Sequence, residues 1–154
     1  MQLKGKLENR DAWVTHGVCP IEKTMNVVGS RNAMLIMREA FYGTTRFEDF
    51  GQRVGMSEAT TASNLKALVA AGLLTRTSYK VEGQRSRLEY VLTDAGRDLM
   101  PVVVGLFNWG IKHAAEPPPL EIDHDECGTR VEVQMVCKDG HRVDVDDLDV
   151  RVAV

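Results

Sequence analysis

Residues 46–93 read RFEDFGQRVGMSEATTASNLKALVAAGLLTRTSYKVEGQRSRLEYVLT, and this stretch decides the fold. Its first half predicts two helices, over 46–54 and 58–71, because apolar residues recur there at helical spacing. The turn Gly55-Met56-Ser57 separates them, and serine is a favourable N-cap for the second helix. After Gly72 the period of the apolar residues changes to two, which predicts a β-hairpin with residues 82–86 at its tip.

Two helices joined by a short turn and followed at once by a hairpin are typical of a winged helix-turn-helix, whose second helix enters the major groove of DNA. Short polar side chains on the outer face of that helix can reach phosphates and base edges. The basic hairpin tip suits a flanking backbone or minor groove. The predicted DNA-binding residues are Ser57, Glu58, Thr60, Ser63, Asn64 and Lys66 on the helix and Lys80, Arg85 and Arg87 on the hairpin. The alternative is a winged helix that contacts proteins and has no affinity for DNA.

Additional helices flank this core. One begins at Pro20 and ends at Gly29, the next extends to Gly43, and a last long helix runs from Asp94 to about His113. The last helix carries more apolar surface than a small core can cover, so we expect a homodimer and an inverted-repeat operator in double-stranded DNA. The predicted dimer contacts are Val102, Val103, Leu106, Phe107 and Trp109.

The helical part ends at Glu116-Pro117-Pro118-Pro119, a stiff spacer that no helix can cross. From Thr129 onwards valines alternate with polar residues, and residues 138–141 predict a hairpin turn. We therefore predict a DNA-binding and dimerisation domain over 1–115 and an acidic, proline-hinged β-hairpin extension over 116–154. The predicted fold class is mainly α with a small β wing.

Charge is distributed unevenly along the 154 residues, whose net charge is −3. Residues 1–100 contain 14 Lys and Arg against 11 Asp and Glu, a net of +3, whereas residues 101–154 contain 5 against 11, a net of −6. A polyanion would therefore meet the first part and be repelled by the second. No apolar run approaches the roughly 18 residues of a membrane span. The N-terminus has no apolar signal region, so we expect a cytoplasmic protein without a membrane partner.

Three cysteines are too few for a disulfide scaffold and indicate a reducing compartment. His124, Cys127, Cys137 and His141 leave three alternatives open, which are a zinc site, a plain hairpin with incidental cysteines and a cross-strand disulfide. The plain hairpin is favoured, so no metal or cofactor is predicted. The sequence also lacks a nucleophile–base arrangement with an oxyanion hole and a glycine-rich phosphate motif, which excludes the common enzyme classes. A small apolar effector could bind between the N-terminal segment and the last helix.

Several short segments occur in an order and spacing shared with one family of regulators. They are Cys19-Pro20, Phe47-Glu48-Asp49-Phe50, Gly55-Met56-Ser57, Ala71-Gly72-Leu73-Leu74 and Glu89-Tyr90-x-Leu92-Thr93. Over about residues 13–113 the chain resembles the HxlR-type (DUF24) bacterial regulators of the MarR-like superfamily. The resemblance implies a homodimeric, sequence-specific repressor or activator and, in some members, a response to thiol-reactive or oxidising compounds. The chain departs from the family at Asn32, where an aromatic residue is usual, and at Asn64, where a basic residue is usual.

Cys19 is the candidate redox-sensing residue. It precedes Pro20, where a helix begins, and the positive end of the helix dipole stabilises a thiolate. Lys23 adds to this field, and Glu22 opposes it. The resemblance points to the same position, because the responsive thiol of the family falls there. The alternative is that Cys19 is a small buried hydrophobic residue.

Overall fold

The chain folds into two compact units in a computed structural model that describes residues 1–11, 17–79, 87–114, 116 and 120–152. Pro20–Pro118 form the helical unit, and Met1–Cys19 group with Pro119–Val154 in a second unit, here called the terminal unit. The sequence predicts one domain over residues 1–115, whereas contacts within the structure group the first 19 residues with the C-terminal segment. The reason is a pairing between segments at opposite ends of the chain, which leaves no local pattern in the sequence.

The helical unit confirms the predicted fold class, mainly α with a small β wing. Its elements are α1 (Pro20–Val28), α2 (Arg31–Phe41), α3 (Phe47–Val54), α4 (Glu58–Ala70), β2 (Leu74–Tyr79), β3 (Arg87–Leu92), α5 (Asp94–Arg97) and α6 (Met100–His113). Strands β2 and β3 pair in antiparallel fashion, with Leu74 opposite Leu92 and Tyr79 opposite Arg87. The predicted long last helix is in fact two helices, because Pro101 lies in the first turn of α6, where proline is well tolerated.

The core of the helical unit lies where α2, α3, α4 and β2 meet. The ring of Phe50 is fully buried, and its centroid lies 6.3 Å from that of Tyr90, edge to face, which anchors β3 to the helices. The buried apolar residues of this core are Val28, Ala33, Ile36, Met37, Ala40, Phe50, Val54, Leu65, Leu68 and Leu74. Burial of these side chains, which come from helices α1 to α4 and from strand β2, packs the two helices of the helix-turn-helix and the hairpin together.

Local bonds set the ends of the helices. Ser30 Oγ accepts a hydrogen bond from the Ala33 N–H at 3.1 Å and begins α2. Thr93 Oγ1 accepts from the Gly96 N–H at 3.0 Å and begins α5. A Cβ atom at Gly96 would lie 2.2 Å from the carbonyl oxygen of Leu73, so glycine lets α5 approach the end of the α4–β2 turn.

The terminal unit contains little regular structure. Strand β1 (Gln2–Leu3) pairs in parallel with β4 (Asp149–Val150), and two short 3-10 helices cover Gly5–Leu7 and Val145–Asp147. Of the alternating strands predicted over 129–154, only the two residues of β4 form a strand in the described residues, and elsewhere the pairing consists of isolated bridges, among them Val136 with Arg142. A small hairpin without a sheet packed on it cannot bury one face, and residues such as Val133 are exposed.

Within the described ranges, no helix combines the length and the apolar character that a membrane span requires.

Candidate nucleic-acid interface

The turn between α3 and α4 positions the candidate recognition helix. Gly55 adopts the left-handed conformation with φ 74°, and its N–H donates to the carbonyl oxygen of Gln52 at 3.3 Å. The N–H of Met56 donates to the carbonyl oxygen of Gly51 at 2.8 Å. Ser57 then caps α4, because its Oγ accepts from the Thr60 N–H at 3.3 Å. The chain therefore ends one helix and begins the next within three residues.

The inner face of α4 is fixed to the core. Thr61, Leu65 and Leu68 are buried, and Thr61 Oγ1 donates to the carbonyl oxygen of Ser57 at 2.9 Å. A Cβ atom at Gly51 would lie 3.0 Å from Thr61 Oγ1, so glycine in α3 permits the close approach of the two helices. Since successive residues advance by about 100° around a helix, Ser63 and Lys66 lie opposite this inner face.

The six residues predicted on the outer face of α4 fall into two groups. Ser57, Glu58, Ser63 and Lys66 are exposed, whereas Thr60 and Asn64 are half-buried. Asn64 Nδ2 donates to the carbonyl oxygen of Thr60 at 2.9 Å, and the hydroxyls of Ser57 and Thr60 lie 2.9 Å apart. These bonds within α4 use part of the hydrogen-bonding capacity of Ser57, Thr60 and Asn64. Of the six residues, Ser63 and Lys66 are therefore the most available to a ligand.

Glu58 differs from the other exposed residues because it borders a cleft between α3 and α4. The cleft has a volume of about 310 Å³ and is lined by Phe47, Glu48, Gly51, Gln52, Met56, Glu58 and Thr61. Two carboxylates in this lining disfavour a phosphate there. The carboxylate of Glu58 can therefore accept a hydrogen bond from an amino group but does not attract an anion.

Small residues on the exposed face of α4 were missed by the sequence analysis. They are Ala59, Ala62, Ala67 and Ala70, all of them exposed. Alanine is compatible with a core as well as with a surface, so the sequence alone does not place it. Methyl-sized side chains around Ser63 and Lys66 let the helix backbone come close to a groove and can contact thymine methyl groups.

The described part of the hairpin supplies one exposed basic side chain, Arg76 in β2, which the prediction omitted. Lys80 and Arg85 lie outside the described residues. Arg87 begins β3, and its side chain also falls outside the described part. Thr77 Oγ1 donates to Glu89 Oε1 at 3.1 Å across the strands, which engages one of the acidic groups of the hairpin.

Residues 27–117 match the model of a family described as HxlR-like helix-turn-helix. The chain belongs to this family of HTH-type transcriptional regulators. The similar HTH-type transcriptional regulator Rv3095 of Mycobacterium tuberculosis is 36% identical over 119 residues, which cover 76% of this chain and 74% of the relative. The family consists of transcriptional regulators, which are generally not enzymes.

Solved structures share the fold of this HxlR-like regulator. PA1607, a candidate transcription factor, superposes with a TM-score of 0.78 at 30% identity and covers 88% of this chain and 96% of its own. The redox regulator HypR in its reduced form superposes with a TM-score of 0.54 at 28% identity and covers 60% of this chain and 90% of its own. The similarity to PA1607 therefore extends beyond Pro20–Pro118, whereas HypR matches a shorter part of the chain.

Helix α6 of the HxlR-like regulator has an exposed apolar side. Val102, Leu106 and Trp109 are 46%, 53% and 65% exposed, and the other two predicted dimer contacts, Val103 and Phe107, are half-buried. The neighbouring Val104 is buried and holds the helix to its own unit. Apolar side chains this exposed on a helix are a surface that a partner can cover.

The cysteines of the regulator are all free thiols, and they differ in environment. Cys19 is half-buried and directly precedes α1. Cys127 is exposed, and hydrogen bonds from the Thr129 hydroxyl and the Thr129 backbone lower the pKa of its thiol. His124 Nδ1 lies 3.3 Å from its sulfur.

The four candidate zinc donors form two separate pairs. His124 and Cys127 share one turn, and Cys137 donates its N–H to the carbonyl oxygen of His141 at 2.9 Å in the other. No group of three or more His, Cys, Asp or Glu residues among those the structure describes is arranged to hold a metal ion. The arrangement is that of two hairpin turns, each closed by its own backbone bonds.

Proposed function

We propose that this HxlR-like regulator binds double-stranded DNA sequence-specifically through α4 and the β2–β3 hairpin. One observation carries the proposal, which is the two-sided construction of α4. Thr61, Leu65 and Leu68 fasten one side to the core, and the opposite side presents Ser63, Lys66 and small residues to solvent. A helix of this kind can enter a major groove without losing its packing.

The proposed contacts divide by chemistry. Lys66 and Arg76, with Lys80, Arg85 and Arg87 at the hairpin, would neutralise phosphates and supply affinity for any sequence. The polar groups at the start of α4 would contact base edges and supply specificity. They are Ser57, Glu58, Thr60, Ser63 and Asn64.

The test is selection of bound sequences from a pool of random duplexes, followed by a salt titration with the selected operator. Lys66→Ala should reduce the slope of log K against log salt by about one. Lys138→Ala makes the same charge change in the acidic extension and should leave the slope unchanged. If no duplex is enriched and the affinity for DNA has no salt slope, the regulator is a protein-contact module instead.

We further propose that the regulator acts as a homodimer through the exposed side of α6. Leu106→Glu would place an unpaired charge in that interface, so sedimentation should show dissociation to monomers and the loss of binding to an inverted-repeat operator. Val133→Glu places the same charge on an exposed valine of the terminal unit and should leave the dimer intact. A wild type that sediments as a monomer at micromolar concentration contradicts the proposal.

A response to thiol-reactive compounds is a second candidate function. Its support is the similarity to HypR, which is named a redox regulator, and the position of Cys19 before the N-terminus of α1. Treatment with peroxide or with a quinone should change the affinity for the operator. The quinone also serves as a probe for the expected small apolar effector. Cys19→Ser should remove the response, and Cys127→Ser should retain it. An equal response in wild type and Cys19→Ser assigns the sensing to another residue.

A further inference from the structure

A buried carboxylate at the end of α2 has no part in the contacts proposed above. The side chain of Glu39 is 8% exposed, and no other charged residue is buried in the described part of the chain. Arg38 donates to Glu39 Oε1 from Nη2 at 2.6 Å and from Nε at 3.1 Å, and Thr44 Oγ1 donates to Oε2 at 3.3 Å. A buried charge with bonds to both oxygens marks a fixed geometry rather than a solvated surface group.

Thr44 is the junction of this network. It is 2% exposed, and its own N–H donates to the carbonyl oxygen of Glu39 at 3.0 Å. Its hydroxyl donates to Glu39 in α2 and accepts from Arg53 Nη1 in α3. Arg53 also lies 3.9 Å from the carboxylate of Asp49, one turn earlier in α3. One hydroxyl group thus connects two helices, and its single proton is committed to the carboxylate.

The residues after Thr44 are bonded to the wing. The N–H of Tyr90 in β3 donates to the carbonyl oxygen of Thr45 at 2.8 Å, and Arg46 forms an antiparallel bridge with Glu89. In the loop between α2 and α3, the side chain of Thr44 is therefore bonded to both helices, and the backbone of Thr45 is bonded to β3. Any shift of Thr44 would be transmitted both to α3, which carries the turn into α4, and to the wing.

We propose that Thr44 is a positioning residue that sets the wing and the helix-turn-helix in the relative orientation that DNA requires. The functional meaning of this role rests on the proposed DNA binding, whereas the hydrogen-bond network around Thr44 is independent of it. Glu39 and Arg53 act with Thr44, because its hydroxyl donates to Glu39 Oε2 and accepts from Arg53 Nη1. Loss of the hydroxyl leaves the apolar core of α2, α3 and α4 in place and loosens the wing relative to that core.

The first test uses the free protein and two variants, Thr44→Val, which is isosteric with threonine, and Thr44→Ser, which retains the hydroxyl. Valine keeps the shape and removes both hydroxyl bonds, whereas serine keeps them. Amide hydrogen exchange at Tyr90 should accelerate about tenfold in Thr44→Val, while the amides of Leu65 and Leu68 in α4 keep their protection. Thr44→Ser should exchange like the wild type. Unchanged exchange at Tyr90 in Thr44→Val overturns the inference, whether or not the protein binds DNA.

The second test compares the selected operator with a random duplex of equal length. Thr44→Val should weaken operator binding about tenfold and leave random-duplex binding within about twofold, because misplaced elements lose joint contact with one site. Glu39→Gln should show the same pattern and replaces Thr44→Val if thermal unfolding shows that valine is not folded. Equal losses for both duplexes, or no loss, overturn the positioning role. A wild type that binds neither duplex refutes the proposed function. In that case, hydrogen exchange at Tyr90 still tests whether Thr44 fixes the wing relative to the helices.

Discussion

The helical unit and the terminal unit are built by different forces. Pro20–Pro118 bury ten apolar side chains in one cluster around Phe50, whereas in the described residues of the terminal unit only Leu7 is buried. The terminal unit is instead joined by backbone bonds, such as those from the N–H groups of Gln2 and Lys4 to the carbonyl oxygens of Leu148 and Val150, at 2.7 and 2.9 Å.

This difference shows that a defined backbone path does not by itself imply a stable unit. Backbone hydrogen bonds replace bonds to water and contribute little net free energy, while apolar burial supplies most of the driving force for folding. We therefore expect the terminal unit to open at a lower free energy than the helical unit. We expect the helical unit to hold the proposed recognition helix in a fixed position, and three sets of variants test the contrast.

The largest expected effect is in the core of the helical unit. Phe50→Ala removes a fully buried ring and its contact with Tyr90, so the free energy of unfolding should fall by about 3–5 kcal/mol. Val133→Ala in the terminal unit removes an exposed side chain and should change that free energy by less than about 0.5 kcal/mol. Urea denaturation of both variants measures the difference. Similar losses would show that the two units are equally dependent on burial.

A second pair of variants separates two uses of glycine. Gly96→Ala would bring a Cβ within 2.2 Å of the Leu73 carbonyl oxygen, so neighbouring backbone must move at a cost of about 1–3 kcal/mol or more. Gly140→Ala meets nothing within 4 Å but has φ 82°, so its cost of about 1–2 kcal/mol is strain in the turn itself. Gly96→Ala should lower the melting temperature of the whole helical unit. Gly140→Ala should alter hydrogen exchange only around residues 137–141.

The smallest expected effect concerns the reactivity of the Cys127 thiol rather than the stability of the fold. The hydrogen bond from the Thr129 hydroxyl makes the largest contribution to the lowered pKa of Cys127. Because the pKa is lowered, the thiolate of Cys127 persists to lower pH than that of an ordinary cysteine. Alkylation by iodoacetamide at neutral pH should therefore be faster at Cys127 than at Cys137. Thr129→Val should raise the pKa and move the pH midpoint of alkylation upwards, and Thr129→Ser should restore it. Peptide mass spectrometry across a pH series gives the rates, and an unchanged midpoint in Thr129→Val would refute the hydroxyl's role.

Much of the helical unit was predictable because its determinants are local. The capping serine at 57, the glycine at 55 and the helical spacing of Leu65 and Leu68 each act within one or two turns. The break before Pro101 was missed, since the apolar stripe continues across it. The sequence predicted which polar residues of α4 form the candidate interface, but it did not predict which of them are free to bond to a ligand. The bonds of Thr60 and Asn64 within the helix depend on rotamers that the sequence does not specify.

The sequence by itself determined the order of helices, turn and hairpin, because apolar periodicity and capping residues act over short distances. Only the tertiary structure decided what depends on contacts between distant residues. It joined β1 to β4 across nearly the whole chain, and it buried the carboxylate of Glu39 beside Thr44 and Arg53. A glutamate in a helix has the same local pattern whether it is solvated or enclosed. Its partners arrive from another helix and a loop, and only the packing of the chain brings them together.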